Sequence, residues 1–172
     1  VKYLPEEISE ESAWNAIVKS ISSESQEFML PGACKLIELL HQNKAEFGVL
    51  TRGAEKWQRL KLACVRLGDV PAIVTSTHRK AAVHLNNWFD EELQMFVIPA
   101  ELRKEYKIIA KEIISIDDRA IAFEGARVGV YGYWVQSGRV HTGSIDDSVV
   151  MKCDTAYDVV TAIEKAYFTG RT

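Results

Sequence analysis

Short apolar runs alternate along this chain with longer stretches of helical periodicity, and that alternation constrains the fold more than any other feature. Phe47-Gly48-Val49-Leu50, Ala72-Ile73-Val74-Thr75, Met95 to Ile98, Ile113-Ile114-Ser115-Ile116, Gly129 to Val135 and Val149 to Lys152 read as strands. Runs this short and this apolar, set between polar flanks, suit strands covered on both faces. Between and around them lie helical segments. Ser9 caps a helix whose first turn holds Glu10 and Glu11 and whose apolar face is Trp14, Ile17, Val18 and Ile21; Ser20 to Ser25 ends it. A second helix opens at Pro31-Gly32 and runs through Leu36, Ile37 and Leu40 to about Asn43. A third follows the break at Thr51-Arg52-Gly53, with Trp57, Leu60, Ala63, Cys64 and Leu67 facing inward and Gly68 as its stop. His78 to Phe89, Glu101 to Ala110, Phe123 to Arg127 and Thr155 to Phe168 are also expected to be helical.

Strands that alternate with helices over short connections predict an α/β fold, Rossmann-like, with a mostly parallel sheet and helices on both faces. A chain of 172 residues can bury one sizeable core. It shows no repeat, low-complexity tract or linker, so residues 1–172 are expected to form one domain. The cap is expected to be minimal or absent, with Ser20 to Met29 its only candidate.

Several function classes are excluded or disfavoured by composition. Hydrophobic residues at 47% and charged residues at 26% describe a globular chain. No apolar run approaches the roughly 20 residues of a bilayer span, and Val1 to Glu11 lacks the pattern of a signal peptide, so a cytoplasmic protein without membrane association is expected. A net charge of −3 argues against tight binding of duplex nucleic acid. Cys34, Cys64 and Cys153 are widely spaced within apolar segments and are expected to be buried reduced thiols. Trp57, Trp88 and Trp134 are expected in the core. His41, His78, His84 and His141 are scattered, and His78 alone falls near the expected site. Asp146-Asp147 reads as a turn.

In open parallel sheets, ligands sit at the carboxyl ends of the strands. That rule singles out Thr51, the stretch from Thr75 to Lys80, and Asp117-Asp118. A hydroxyl, a lysine and two adjacent carboxylates suit phosphoryl transfer. The carboxylates can hold Mg²⁺, which takes hard oxygen ligands and often only one or two protein carboxylates. The lysine and hydroxyl can bind phosphoryl oxygens and offset charge developing in the transition state.

Order and context add a resemblance. Leu30-Pro31-Gly32-Ala33 opening a helix, then Gly48-Val49-Leu50-Thr51-Arg52-Gly53 about twenty residues on, looks like the approach to the second motif of haloacid dehalogenase-like phosphohydrolases. Ile113-Ile114-Ser115-Ile116-Asp117-Asp118-Arg119, then Phe123-Glu124-Gly125-Ala126-Arg127 and the strand through Trp134, resembles the fourth motif and the helix after it. The spacing from Val70-Pro71-Ala72-Ile73-Val74 through His78-Arg79-Lys80 to the acid pair, and on to Trp134-Val135-Gln136-Ser137-Gly138, is similar to the phosphatase half of polynucleotide kinase-phosphatases. The resemblance implies phosphoryl binding by Thr51, charge neutralisation by Lys80, and Mg²⁺ binding by Asp117 and Asp118; Arg52, Gly53 and Arg79, close to these in the sequence, are expected to bind substrate. Lys104 and Lys107 compete with Lys80, because some relatives carry that lysine on the helix before the acid pair. The implied activity is magnesium-dependent hydrolysis of a phosphate monoester, with a phosphorylated small molecule or a nucleotide end as substrate.

One departure stands against this. The family carries an Asp-x-Asp signature at the end of its first strand, whose first aspartate is the nucleophile. None occurs in these 172 residues; Asp117-Asp118 and Asp146-Asp147 are adjacent pairs. Either that strand lies upstream of Val1, or the domain has lost hydrolysis and serves protein binding or assembly, with Val1 to Leu4 or a strand supplied in trans filling the gap. A receiver-like signalling domain also places acids at strand ends, but chain length and the Pro31-Gly32 helix opening disfavour it.

Overall fold

The computed structural model describes residues 8–136 and 148–169. It is a mixed α/β structure built from three small sheets. Helix α1 (Glu10–Ser22) is followed by a 3-10 turn (Ser25–Phe28), helix α2 (Ala33–Gln42), strand β1 (Val49–Arg52), helix α3 (Glu55–Cys64) and strand β2 (Ala72–Thr75). The short helix α4 (Lys80–Val83), a 3-10 turn (Leu85–Trp88) and strands β3 (Phe89–Asp90), β4 (Met95–Val97) and β5 (Ile109–Ala110) come next. Strand β6 (Ile113–Asp117), a 3-10 turn (Ala120–Phe123), strands β7 (Val130–Val135) and β8 (Val150–Cys153), helix α5 (Ala156–Ile163) and a π-helical turn (Glu164–Phe168) follow.

Local chemistry sets the helix starts. Ser9 caps α1 by accepting a hydrogen bond from Ser12 N at 3.1 Å, satisfying one of the donors that a helix start leaves free. At α5 the Thr155 N–H donates to Asp158 Oδ2 at 2.8 Å, which holds the first turn closed. Gly32 precedes α2 with φ +88°, and a Cβ there would lie 2.5 Å from Tyr157 N. Glycine alone permits that backbone and that approach. The contact, with Ala156 N donating to Pro31 O, sets the starts of α2 and α5 side by side.

Strands β1 and β2 pair in parallel, Leu50 opposite Ile73; β6, β7 and β8 pair in parallel, with Ile116 opposite Tyr133 and Val135 opposite Cys153. One face of the β6-β7-β8 sheet packs against α2 and α5, burying Leu36, Leu39, Tyr133, Val135, Val159 and Ile163. The other face meets Ala81, Leu85 and Phe96, and Leu50 of β1 packs into that same cluster. The parallel strands and their helices match the expected α/β class.

Among the described residues the single sheet does not form: β1 and β6 are not paired with one another, and an unforeseen antiparallel ribbon, β3-β4-β5, is present. The helix expected over Glu101 to Ala110 is replaced by a 3-10 turn (Ala100–Leu102) and β5. Ala110 and Ile109 pair with Phe96 and Val97, so the open edge of β4 captures residues that could also have lined a helix. His78 to Phe89 breaks at His84, where φ is −117°, and ends in β3. Phe123 to Arg127 is not helical because Gly125 turns at φ +71°, a turn held by Asn86 through Gly125 O at 2.7 Å and Arg127 N at 3.0 Å.

The expected cap stretch, Ser20 to Met29, holds the end of α1 and the 3-10 turn. Trp57, expected inside, is 63% exposed. It shares a helix face with Leu60 and Cys64 but lies in the first turn of α3, one turn before the buried residues begin. Cys64 and Cys153 are buried thiols, and Cys34 is half-buried against Met29. No helix among the described residues is long and apolar enough to cross a membrane. Val1 to Leu4, Ser137-Gly138, His141 and Asp146-Asp147, for which the sequence carries expectations, lie outside the described residues.

Candidate functional site

The carboxyl ends of β1 and β6 and the start of α4 open onto one cleft of about 240 Å³, lined by Thr51, Arg52, Gln58, Lys61, His78, Lys80, Asp117, Asp118 and Arg119. Three distant pieces of sequence therefore meet. The loop after β2 carries His78 into the cleft and starts α4, whose first residue is Lys80. The loop is stapled by its own threonines: Thr77 N donates to Thr75 Oγ1 at 3.3 Å and Arg79 N to Thr77 Oγ1 at 3.1 Å.

A short, largely buried ion pair in the cleft joins Lys80 to Asp117, with Nζ 2.6 Å from Oδ2 and side-chain exposures of 16% and 8%. Arg119 N donates to the other carboxylate oxygen at 2.9 Å. Both oxygens of Asp117 are thus engaged, and the Asp117-Asp118-Arg119 turn is held in place. Thr51 Oγ1 donates to Gln58 Oε1 at 3.0 Å, and Arg52 Nε to Ser76 O at 3.0 Å. With four cations (Arg52, Lys61, Lys80, Arg119) against two carboxylates, the wall of the cleft is net positive and suited to an oxyanion.

Thr51, Arg52, Lys80, Asp117 and Asp118 meet in the cleft; two expected residues do not line it. Arg79 turns to Glu124, Nη2 lying 3.1 Å from Oε1. Gly53 spends its N–H on Thr75 O at 3.0 Å, which ends the β1-β2 ladder. Lys104 and Lys107 lie outside the lining, in the segment leading to β5. Gln58, Lys61 and Arg119 join the cleft without having been expected there. Arg119 directly follows the acid pair, and Gln58 and Lys61 lie one turn apart on α3, so position after a strand end is the signal for the first and helical spacing for the other two.

His78 titrates below its ordinary value, chiefly because it is partly withdrawn from water, then because Arg52, Arg119 and Lys80 carry positive charge nearby; Asp117 opposes them. His84, whose Nε2 lies 2.8 Å from Thr75 Oγ1, is lowered first by burial and then by Lys80. A histidine lowered in the folded state takes up its proton less readily there than in the unfolded chain, where its value is about 6.5. The stability it contributes is therefore full above about pH 6.5 and is lost as pH falls through the folded-state value. We expect the melting temperature to fall from pH 7 towards pH 5, and His84→Gln to make that fall shallower. Parallel melting curves for the two proteins would expose an unchanged slope, which would mean that His84 is not a source of the acid sensitivity.

For a divalent cation the cleft offers the hard oxygens of Asp117 and Asp118, with the single imidazole of His78 in the same lining. Among the described residues no group of three or more His, Cys, Asp or Glu side chains is placed to hold a metal ion. Two adjacent carboxylates fit Mg²⁺, which keeps several waters and shares a phosphate; a transition metal that wants several imidazoles or thiolates finds only His78 in the lining.

No family model, curated protein or solved structure matches this chain. The cleft itself is therefore the ground on which a function can be proposed.

Proposed function

We propose that the chain is a haloacid dehalogenase-like domain that binds a phosphate monoester in this cleft and hydrolyses it with Mg²⁺. The observation that carries the reading is the convergence of Thr51, Lys80 and the Asp117-Asp118 pair, from separate pieces of the chain, on one net-positive cleft. Thr51 and Arg52 would hold phosphoryl oxygens, Lys61 and Arg119 would add positive charge, and Lys80 would stand between phosphate and Asp117. Asp118, with Asp117, would hold Mg²⁺, which when bound offsets phosphoryl charge. The open rim suits a nucleotide end or a phosphorylated small molecule.

Attack through an aspartyl phosphate needs a further carboxylate, because no Asp-x-Asp occurs in the sequence. A second reading is a domain that keeps the fold and the anion cleft without hydrolysis and serves protein binding or assembly. Turnover of p-nitrophenyl phosphate with Mg²⁺ separates the two. The first reading expects hydrolysis that needs the cation and falls by about 100-fold or more in Asp118→Asn. A folded chain that gives no turnover, yet is stabilised by inorganic phosphate, fits the second reading, and equally a first reading whose nucleophilic aspartate lies outside these residues. Absence of both effects sinks the cleft as an anion site.

A further inference from the structure

The cations of the cleft divide by what they are already doing. Lys80 is engaged, its ammonium 2.6 Å from the carboxylate of Asp117. Arg52, Lys61 and Arg119 line the same cleft and, among the described residues, have no carboxylate at ion-pair distance. Outside the cleft, Lys35, Lys56, Arg59, Arg79 and Arg127 each face one. Sequence placement sets up the difference. Glu55, the nearest acid in the chain to both Arg52 and Lys61, is taken by Arg59 one turn along α3. Lys61 follows Gln58 by a helical turn, so α3 brings both to the cleft on one face. Arg52 ends β1, and its Nε donates to Ser76 O at 3.0 Å. That bond fixes the plane of the guanidinium, whose Nη groups can then grip an oxyanion. Like charges gathered on one wall without partners destabilise an empty cleft and draw anions to it.

We propose that the cleft accepts a ligand with two anionic groups, a phosphoryl group on its floor and a second phosphate or carboxylate on the wall formed by Arg52 and Lys61. The inference rests on the cleft as a phosphoryl site and adds the class of substrate: a phosphate monoester with a second anion on a short scaffold. Exposure separates floor from wall. The side chains of Lys80 and Asp117 are 16% and 8% exposed and Thr51 is half-buried, whereas Arg52 and Lys61 stand exposed. Charge separates them as well. Lys80 cancels Asp117, a bound Mg²⁺ outweighs Asp118 by one charge, and Arg119 beside the acid pair adds another, which together balance a phosphoryl dianion. Arg52 and Lys61 are then in excess and call for a second anion. Size sets the scaffold: about 240 Å³ lies below the roughly 300–1,000 Å³ of pockets for drug-sized ligands, so the two anions lie close together. Once the phosphoryl group is bound, the second contact forms within the same complex and tightens it through proximity.

The test uses a matched pair of non-hydrolysable phosphonates, methylphosphonate and phosphonoacetate, which differ by one carboxylate. Calorimetric titration of the full chain with Mg²⁺ present should show phosphonoacetate bound at least about tenfold more tightly, with the margin shrinking in high salt. Lys61→Gln and Arg52→Gln should each cut that margin to about threefold or less, while Lys107→Gln, which removes the same charge outside the lining, should leave it as it is. All three side chains are exposed, so the variants are expected to fold. Equal binding of the two phosphonates overturns the two-anion site and leaves the phosphoryl cleft standing. A margin that survives both cleft variants places the carboxylate elsewhere and overturns it too. So does a margin that Lys107→Gln lowers equally, since long-range charge alone would then account for it. If neither phosphonate binds, the inference falls together with the cleft as a phosphoryl site.

Discussion

Phe96→Ala is expected to cost about 3–5 kcal/mol of folding stability, the range for removing a fully buried aromatic ring from a core. Phe96 is 0% exposed and belongs to the cluster formed with Ala81, Leu85 and Val130. Its ring meets Phe89 edge-on at 5.1 Å, and a Cβ on Gly129 would sit 2.9 Å from it, so the backbone itself is fitted to the ring. The cost is large because the ring joins separate pieces: it belongs to β4 but shares its cluster with Ala81 of α4 and Val130 of β7. Truncation opens a cavity that none of those elements can close alone. Urea unfolding with an unchanged slope would give the loss directly, and Phe96→Leu, which retains most of the volume, should lose less. A loss below about 1 kcal/mol would mean that the β3-β4-β5 ribbon contributes little to the core.

Lys80→Met should be almost as damaging, at about 3 kcal/mol, because it strands a mostly buried carboxylate. Asp117 is 8% exposed and its partner 16%, so solvent screens the pair little. Arg119 N would remain on one oxygen of Asp117, which places the expected cost at the lower end of the range for a broken buried pair. The double variant Lys80→Met with Asp117→Leu removes both charges and should recover most of the loss, since an apolar pair of similar volume avoids the desolvation of either ion. Chemical denaturation of the three variants forms the cycle. If the double variant is no better than Lys80→Met alone, the pair is not what holds α4 to β6. The same lysine lines the anion cleft, so phosphate binding should weaken in both variants whatever their stability.

Much of the secondary structure is legible in the sequence. Ser9, Pro31-Gly32 and Thr155 are local signals, and the helices they open stand where those signals lie. The strands from Ala72, Ile113, Gly129 and Val149 fall within a residue or two of expectation, because a short apolar run between polar flanks has few other uses. The departures share a cause. Glu101 to Ala110 and His78 to Phe89 have apolar residues compatible with a helix, but the edge of β4 and the side chains of His84 and Asn86 reward another conformation, through partners distant in sequence. Trp57 departs because helical spacing gives a face and not a depth: it lies on the face of Leu60 and Cys64, but at the first turn of α3, ahead of the buried residues.

Residue order alone determined the α/β character, the limits of most strands, and the strand ends at which polar side chains would gather. Those depend on propensity, periodicity and capping, which act over a few residues. Only the tertiary structure decided that Lys80 closes on Asp117 across 37 positions, that Arg119 and Lys61 join the cleft while Arg79 leaves it for Glu124, and that β1 and β6, among the described residues, stand in separate sheets. Such choices are made between groups far apart in the chain, where the balance of burial, charge and backbone pairing is struck only after the elements have packed.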